Sequence, residues 1–174
     1  MVGLLTTLVA IVLATACGNL RVDPASPRPN VDLPAASAPG RVELAPAILD
    51  SFVIPKTGSV NQVPVTGWRG TLLRGFQSGF GTGSSGQVLV LREAELTFGP
   101  AAIGTGGTAA VRARIRFKSS LSDASGTEVG RISGEVSARD AATSPTPEAM
   151  TANAAQAVEA MYEQIAEKIA HPDK

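Results

Sequence analysis

Val111–Lys118 alternates without a break. Val111, Ala113, Ile115 and Phe117 are apolar, while Arg112, Arg114, Arg116 and Lys118 between them are basic. Successive side chains of a β-strand point to opposite faces, so this period of two puts every apolar residue on one face and every cation on the other. A helix would scatter both sets around its axis. The chain is therefore committed to a sheet with one wet face and one face that something apolar must cover.

The flanking segments supply neighbouring strands. In Val88–Phe98, Val90, Ala94, Leu96 and Phe98 share one face, interrupted by Arg92, and Glu93, Glu95 and Thr97 take the other. Gly99–Thr108, with Gly104, Gly106 and Gly107, reads as a hairpin loop, and Asp123-Ala124-Ser125-Gly126 as the next turn. Beyond it Ile132, Gly134, Val136 and Ala138 face inward, while Arg131, Ser133, Glu135 and Arg139 face out. Ile48–Ile54, bounded by Pro46 and Pro55, reads as an earlier strand, followed by a turn-like stretch, Lys56–Pro64. Centring the two hairpins near Ile103 and between Ala124 and Ser125 sets the register. It pairs Leu96 with Val111, Glu95 with Arg112, Phe117 with Ile132 and Ala113 with Val136. A Glu93–Arg114–Glu135 row results, with Arg116 and Lys118 left without acids opposite. Parity is firm, because a slip of one residue would bury charge; a slip of two is allowed.

Two helices are expected to cover the apolar face. Trp68, Leu72, Phe76 and Phe80 recur every four residues, with Gly75 and Gly79 on the same side to allow close approach to a sheet. Thr66 is the expected N-cap and Gly81 the stop. Thr146-Pro147-Glu148 starts a longer helix whose stripe is Met150, Ala154, Ala157, Val158, Met161, Ile165 and Ile169. Both stripes read as core. The expected fold is an α+β two-layer sandwich: strand, helix, three-stranded antiparallel meander, helix, both helices on one sheet face.

Gly81-Thr82-Gly83-Ser84-Ser85-Gly86 matches G-x-G-x-x-G, but with a helix before it and a strand after it. That is the reverse of a dinucleotide site, so it reads as a flexible loop.

Ahead of the domain, Leu4–Ala14 is an uncharged, mostly apolar run. It is short of the roughly 20 residues that span a bilayer and has the length of a signal h-region. It ends in Ala14-Thr15-Ala16-Cys17, which resembles the lipobox of bacterial lipoproteins, with Ala14 where that family usually has Leu. The resemblance implies cleavage before Cys17 and lipid on Cys17; a plain signal peptide or a buried N-terminal helix is the alternative. Gly18, where an Asp often marks inner-membrane retention, implies by the same resemblance the outer membrane, on its periplasmic face. Pro24, Pro27, Pro29, Pro34 and Pro39, among Ala, Ser and Asn, read as an extended tether. The division is thus a signal peptide over 1–16, a lipid-anchored tether over 17–40 and one domain over 41–174. In layout, Ile48–Ile54, Trp68–Phe80, Val88–Arg139 and Pro147–Ala170 resemble YajG-type lipoproteins, penicillin-binding-protein activator lipoproteins and the N-terminal domain of TolB.

Composition narrows the function. Fifteen basic residues balance fifteen acidic ones, and there are only five Phe, one Trp and one Tyr. This argues against nucleic-acid binding, which needs cationic fields and stacking platforms. A single Cys excludes an intrachain disulfide or multi-Cys zinc site, and the only His, His171, lies among the last few residues. G-x-S-x-G, P-loop and H-E-x-x-H patterns are absent, and Glu93, Glu95 and Glu135 fall beside arginines, which suits ion pairing. No catalytic residue, metal or cofactor is expected. The basic strand has two readings: an outer face neutralised by neighbouring acids, or an anion contact of Arg112, Arg114, Arg116 and Lys118, centred on Arg116 and Lys118. The expected function is that of a lipid-anchored, non-enzymatic accessory or assembly lipoprotein that binds a protein partner. The alternative is a carrier or sensor of anionic lipid or glycan. An uncovered sheet edge or apolar patch would favour the first, and a cleft beside the basic face the second.

Overall fold

The computed structural model describes residues 26–55, 62–101, 110–142 and 146–172. The expected signal peptide, Cys17 and the tether as far as residue 25 lie outside the described residues. The elements are β1 (Arg41–Leu44), β2 (Phe52–Ile54), β3 (Val63–Val65), α1 (Trp68–Phe80), β4 (Val88–Ala101), β5 (Ala110–Ser122), β6 (Glu128–Ser137) and α2 (Pro147–Ala170). One sheet has the order β1-β4-β5-β6, with β1 parallel to β4 and the rest antiparallel; β2 and β3 form a separate antiparallel pair. The class is α+β, with both helices packed on the apolar sheet face.

The expected first strand is corrected. Only Phe52–Ile54 of Ile48–Ile54 is extended, and its partner, Val63–Val65, falls largely inside the stretch read as turn. The strand beside β4 is instead Arg41–Leu44, whose Val42 and Leu44 pack toward the core. Four residues carry too little pattern to announce a strand.

β4 contains a bulge between Leu91 and Glu93. One extra residue reverses the parity. Leu89 and Leu91 are buried before it and Leu96 and Phe98 after it, so Val90 is displaced from the expected inner face. Val88–Leu91 is apolar at every position, and Arg92 is the point at which the two patterns meet.

The register is also corrected. Glu93 faces Lys118 and Glu95 faces Arg116, four residues from the expected pairing, and Arg116 faces Glu135, two residues from it. Both displacements are even, so inner and outer faces are kept. In the second hairpin the turn decides the difference, and in the first the pairing itself runs further than expected. β4 and β5 pair as far as Ala101 and Ala110, beyond a centre at Ile103. In the second connection Asp123 accepts from Ser125 N, Ser125 Oγ and Thr127 N, while Asp123 N donates to Thr127 O. Gly126 takes φ +86°, which L side chains rarely adopt, so the turn is centred one residue later than expected.

α1 buries Trp68, Leu72, Phe76 and Phe80 as expected. Its N-cap is Gly67 rather than Thr66, and at Gly75 it approaches α2 rather than the sheet. A Cβ on Gly75 would lie 2.9 Å from Val158 Cγ1 and 3.0 Å from Tyr162 Cε2. Tyr162 is fully buried, donates to Leu72 O at 2.8 Å and packs edge-on to Phe76 and Phe80. α2 begins at Pro147 with the Thr146 side chain accepting from Ala149 N, and buries Met150, Ala154, Ala157, Val158, Met161 and Ile165.

The described part of the tether is not free. Pro27 and Pro29 are buried, Arg28 N and Asn30 N donate to Glu159 and Glu163 of α2, and Pro29 and Val31 lie against Gly79. Ala38 enters the core, and Ser84 N donates to Ala35 O, so the loop after α1 is held by this segment. Prolines lose little entropy on ordering, which lowers the cost of docking an extended segment.

Candidate functional site

On the outer face all four cations of β5 stand in a line, but their partners differ from those expected. Arg116 lies 3.8 Å from Glu95 and 3.9 Å from Glu135, and Lys118 lies 3.0 Å from Glu93. Arg92 reaches Glu128 at 2.9 Å and Ser120 Oγ at 3.2 Å, and Arg131 also pairs with Glu128. Hydrogen bonds from Arg131, then its charge, hold the Glu128 carboxyl below its ordinary pKa. The proposed acid-free end, Arg116 and Lys118, is therefore the neutralised end. Arg114 instead faces Thr97 and Ser137, and Arg112 faces Gly99. Neither has an acidic partner among the described residues, and Arg112 Nε is buried without a hydrogen-bond partner there. Water screens exposed pairs of this kind, so they fix register and surface charge more than stability.

The second candidate is the edge of β4. Ala113 O accepts from Ala138 N, and Val111 exchanges both backbone bonds with Ala142, so odd residues of β5 direct their backbone groups toward β6. Even residues of β5 then bond to β4, and their opposite numbers past the bulge are Glu93, Glu95 and Thr97. The N–H and C=O groups of Ala94, Leu96 and Phe98 consequently point away from β5. β1 covers this side only as far as Leu91, the last bond being Ala45 N to Leu91 O. Trp68 Nε1 donates to Ala94 O at 3.1 Å. No backbone group among the described residues pairs with Leu96 or Phe98 on that side, but both residues are only 2% exposed, so this stretch is covered by packing and is not an open edge.

Beside this edge runs a groove of about 410 Å³. Ile48, Leu49, Phe52, Val53 and Ile54 line one side, residues 92–97 the other, and Trp68 also lines it. Leu49 is 60% and Val53 56% exposed, the two most exposed large apolar side chains among the described residues. Its wall is built in. Arg69 donates to Ile48 O at 2.8 Å, Ala45 O at 3.1 Å and Leu44 O at 3.2 Å. Trp68 N and Arg69 N bond to Asp50, and the Phe52 ring meets Trp68 edge-on at 6.2 Å. α1 thus clamps residues 44–50 and fixes this wall of the groove.

Sequence reasoning assigned Trp68 to plain core and missed Arg69, Leu49 and Val53. The available signal was Ile48–Ile54 itself, apolar at both parities and hence able to show one side to solvent. Among the described residues no group of three or more His, Cys, Asp or Glu side chains comes together, and no helix is long and apolar enough to cross a membrane. No protein-family model matches this chain, nor does any curated protein or solved structure.

Proposed function

We propose that this chain is an envelope lipoprotein of the bacterial type, anchored through Cys17 on the periplasmic face of the outer membrane, and that it acts without catalysis as an accessory or assembly factor. Its partner is a protein bound at the groove beside β4. The observation that carries this reading is the exposed apolar wall of that groove, Leu49 and Val53, held in place by α1. Large apolar side chains exposed together are a common mark of a protein-binding surface. A carrier of anionic lipid or glycan is the second reading, and Arg112 and Arg114, without acids opposite, are the feature that favours it.

The test is site-specific photocrosslinking in the native envelope. A photoreactive side chain at Val53 should capture a protein, and the same group at Arg114 should not. Crosslinks at Arg114 alone, or to lipid alone at both positions, would overturn the protein-binding reading in favour of the carrier. Anchoring is tested separately: Cys17→Ser should release the protein from the membrane fraction, and an unmodified Cys17 thiol in mature membrane-bound protein rejects it.

A further inference from the structure

We infer that two copies of this chain pair through β6, antiparallel about a twofold axis at Ser133, so that Arg131 of each copy faces Glu135 of the other and the two sheets run on as one. β6 is the strand at the far side of the sheet from β1 and the groove, so this inference goes beyond the reading of the groove and does not depend on it.

The backbone leaves β6 open. Ile132, Gly134 and Val136 stand opposite Ser119, Phe117 and Ile115, odd residues of β5 whose backbone groups point toward β6. Arg131, Ser133, Glu135 and Ser137 therefore direct their N–H and C=O groups away from the sheet. Among the described residues no backbone group takes these up, and Arg131, Ser133 and Glu135 are exposed. An exposed run of unpaired edge groups is a template for a further strand.

The side chains choose the strand and its register. At the outward parity β6 reads Arg131, Ser133, Glu135, a cation and an acid on either side of a serine. Hydrogen-bonded pairing joins outward residues to outward residues, which also keeps the helix-covered faces of both copies on one side. Centring on Ser133 then sets Arg131 against Glu135 at both ends of the contact. Centring on Arg131 or Glu135 would put like charges face to face, and centring on Ile132 or Gly134 would leave both charges without an opposite. The row Glu95–Arg116–Glu135 already alternates in sign and ends at this edge on an acid, so Arg131 of the second copy continues it. Both side chains can be spared: Arg131 is 84% and Glu135 53% exposed, and Glu128, the present partner of Arg131, also holds Arg92. On the other face Val136 falls beside Gly130, over which there is open space. Alternating charge blunts the edge against most strands, and a second copy supplies the same charges in the complementary order. An axis normal to the sheet leaves α2 of both copies, with Arg28 and Asn30 held on it, on one side of the dimer, which suits anchoring of both chains in one membrane.

The experiment uses the full chain in detergent, where sedimentation should show a monomer–dimer equilibrium. Ser133→Pro removes an N–H that points to solvent in the monomer, so it should abolish the dimer and leave the unfolding curve close to that of the unaltered chain. Arg131→Glu and Glu135→Arg should each weaken the dimer about tenfold, and R131E/E135R, which restores the opposition, should return it to within about threefold of the unaltered chain. Under mild oxidation Ser133→Cys should form a disulfide between copies and Arg131→Cys should not, with the unaltered chain, whose one Cys is Cys17, setting the background. A chain that stays monomeric at every concentration, a dimer that survives Ser133→Pro, a double variant no better than the single ones, or a disulfide at Arg131→Cys and not at Ser133→Cys each overturns the inference. If Ser133→Pro does not fold, the charge exchange decides alone. Absence of the dimer with the Val53 crosslink kept overturns this inference and leaves the groove reading intact; loss of the crosslink with the dimer kept does the reverse.

Discussion

Asn153 is the buried polar side chain on which the end of the sheet depends. It is 4% exposed on α2 and meets two backbone groups. Ala113 N donates to its Oδ1 at 2.5 Å, and its Nδ2 donates to Asp140 O at 2.8 Å. The need arises from topology. Ala113 lies in the central β5, its N–H points toward β6, and the last paired residue of β6 is Ser137, opposite Arg114. Asn153 therefore closes a ladder that has run out of strand. In Asn153→Ala the fully buried Ala113 N–H is orphaned, at about 2 kcal/mol, and the bond to Asp140 adds about 1 kcal/mol. Better helix propensity returns about 0.6 kcal/mol. The net loss should be about 2–3 kcal/mol, measured by urea unfolding followed through the single tryptophan. Asn153→Asp separates the two bonds. Its carboxylate still accepts from Ala113 but opposes the Asp140 carbonyl, and burial raises its pKa above the unfolded value near 4. The folded state then binds more protons, so this variant should be most stable below about pH 4 and lose stability as pH rises through the folded pKa. A loss under about 1 kcal/mol for the alanine variant, or no pH dependence distinguishing aspartate from asparagine, would mean that Ala113 N–H has another partner and would refute the reasoning.

Three further outcomes follow from the packing and the charges. Met161→Ala and Ile165→Ala should each cost about 2–5 kcal/mol in the same unfolding assay, because both side chains are fully buried under α2; losses under about 1 kcal/mol at both would contradict that burial. Burial pushes the Tyr162 phenol well above its ordinary pKa, so its contribution to stability is complete below about pH 10 and falls as pH rises beyond that. Tyr162→Phe should abolish this part of the alkaline loss, seen by comparing the two unfolding curves between neutral and strongly alkaline pH. On vesicles containing anionic lipid, Arg112→Ala with Arg114→Ala should reduce co-sedimentation more than Arg116→Ala with Lys118→Ala, whose cations are already paired with Glu93, Glu95 and Glu135. The opposite order would restore the acid-free end expected from sequence.

What was legible in the sequence follows the strength of its local periods. The alternation at Val111–Lys118 and the four-residue repeat from Trp68 to Phe80 each have one solution that buries the apolar set, and both elements occur where expected. Val88–Leu91 has two solutions, and only the partner strand chooses between them, so the bulge at Arg92 was marked by an interruption and not explained by it. Register failed for a related reason: even slips are invisible to hydrophobicity, and the one between β5 and β6 was settled by the left-handed Gly126 and the Asp123 carboxylate. The groove was least legible. It joins Ile48–Ile54, Trp68 and residues 92–97 through contacts distant in sequence, and nothing local to Arg69 announces that it clamps three carbonyls. The four cations of β5 share one face, but which of them lie opposite acids depended on register and differs from the expectation.

The groove has an identifiable origin in the chain. β1 stops pairing at Ala45, and the next residue, Pro46, has no N–H with which to continue along β4. One residue further along β4 from that last bond, the bulge at Arg92 turns the strand, so a longer β1 would have had to follow a bend as well as pass a proline. Both interruptions fall at the same level of the sheet, and α1 then fixes the departing chain through Arg69 and Asp50 so that it stands beside β4 without pairing with it. The groove is therefore the gap left where the chain leaves β4 after Ala45, and the residues that α1 holds there, Leu49 and Val53 among them, turn apolar side chains to solvent because no strand of the sheet pairs with that segment.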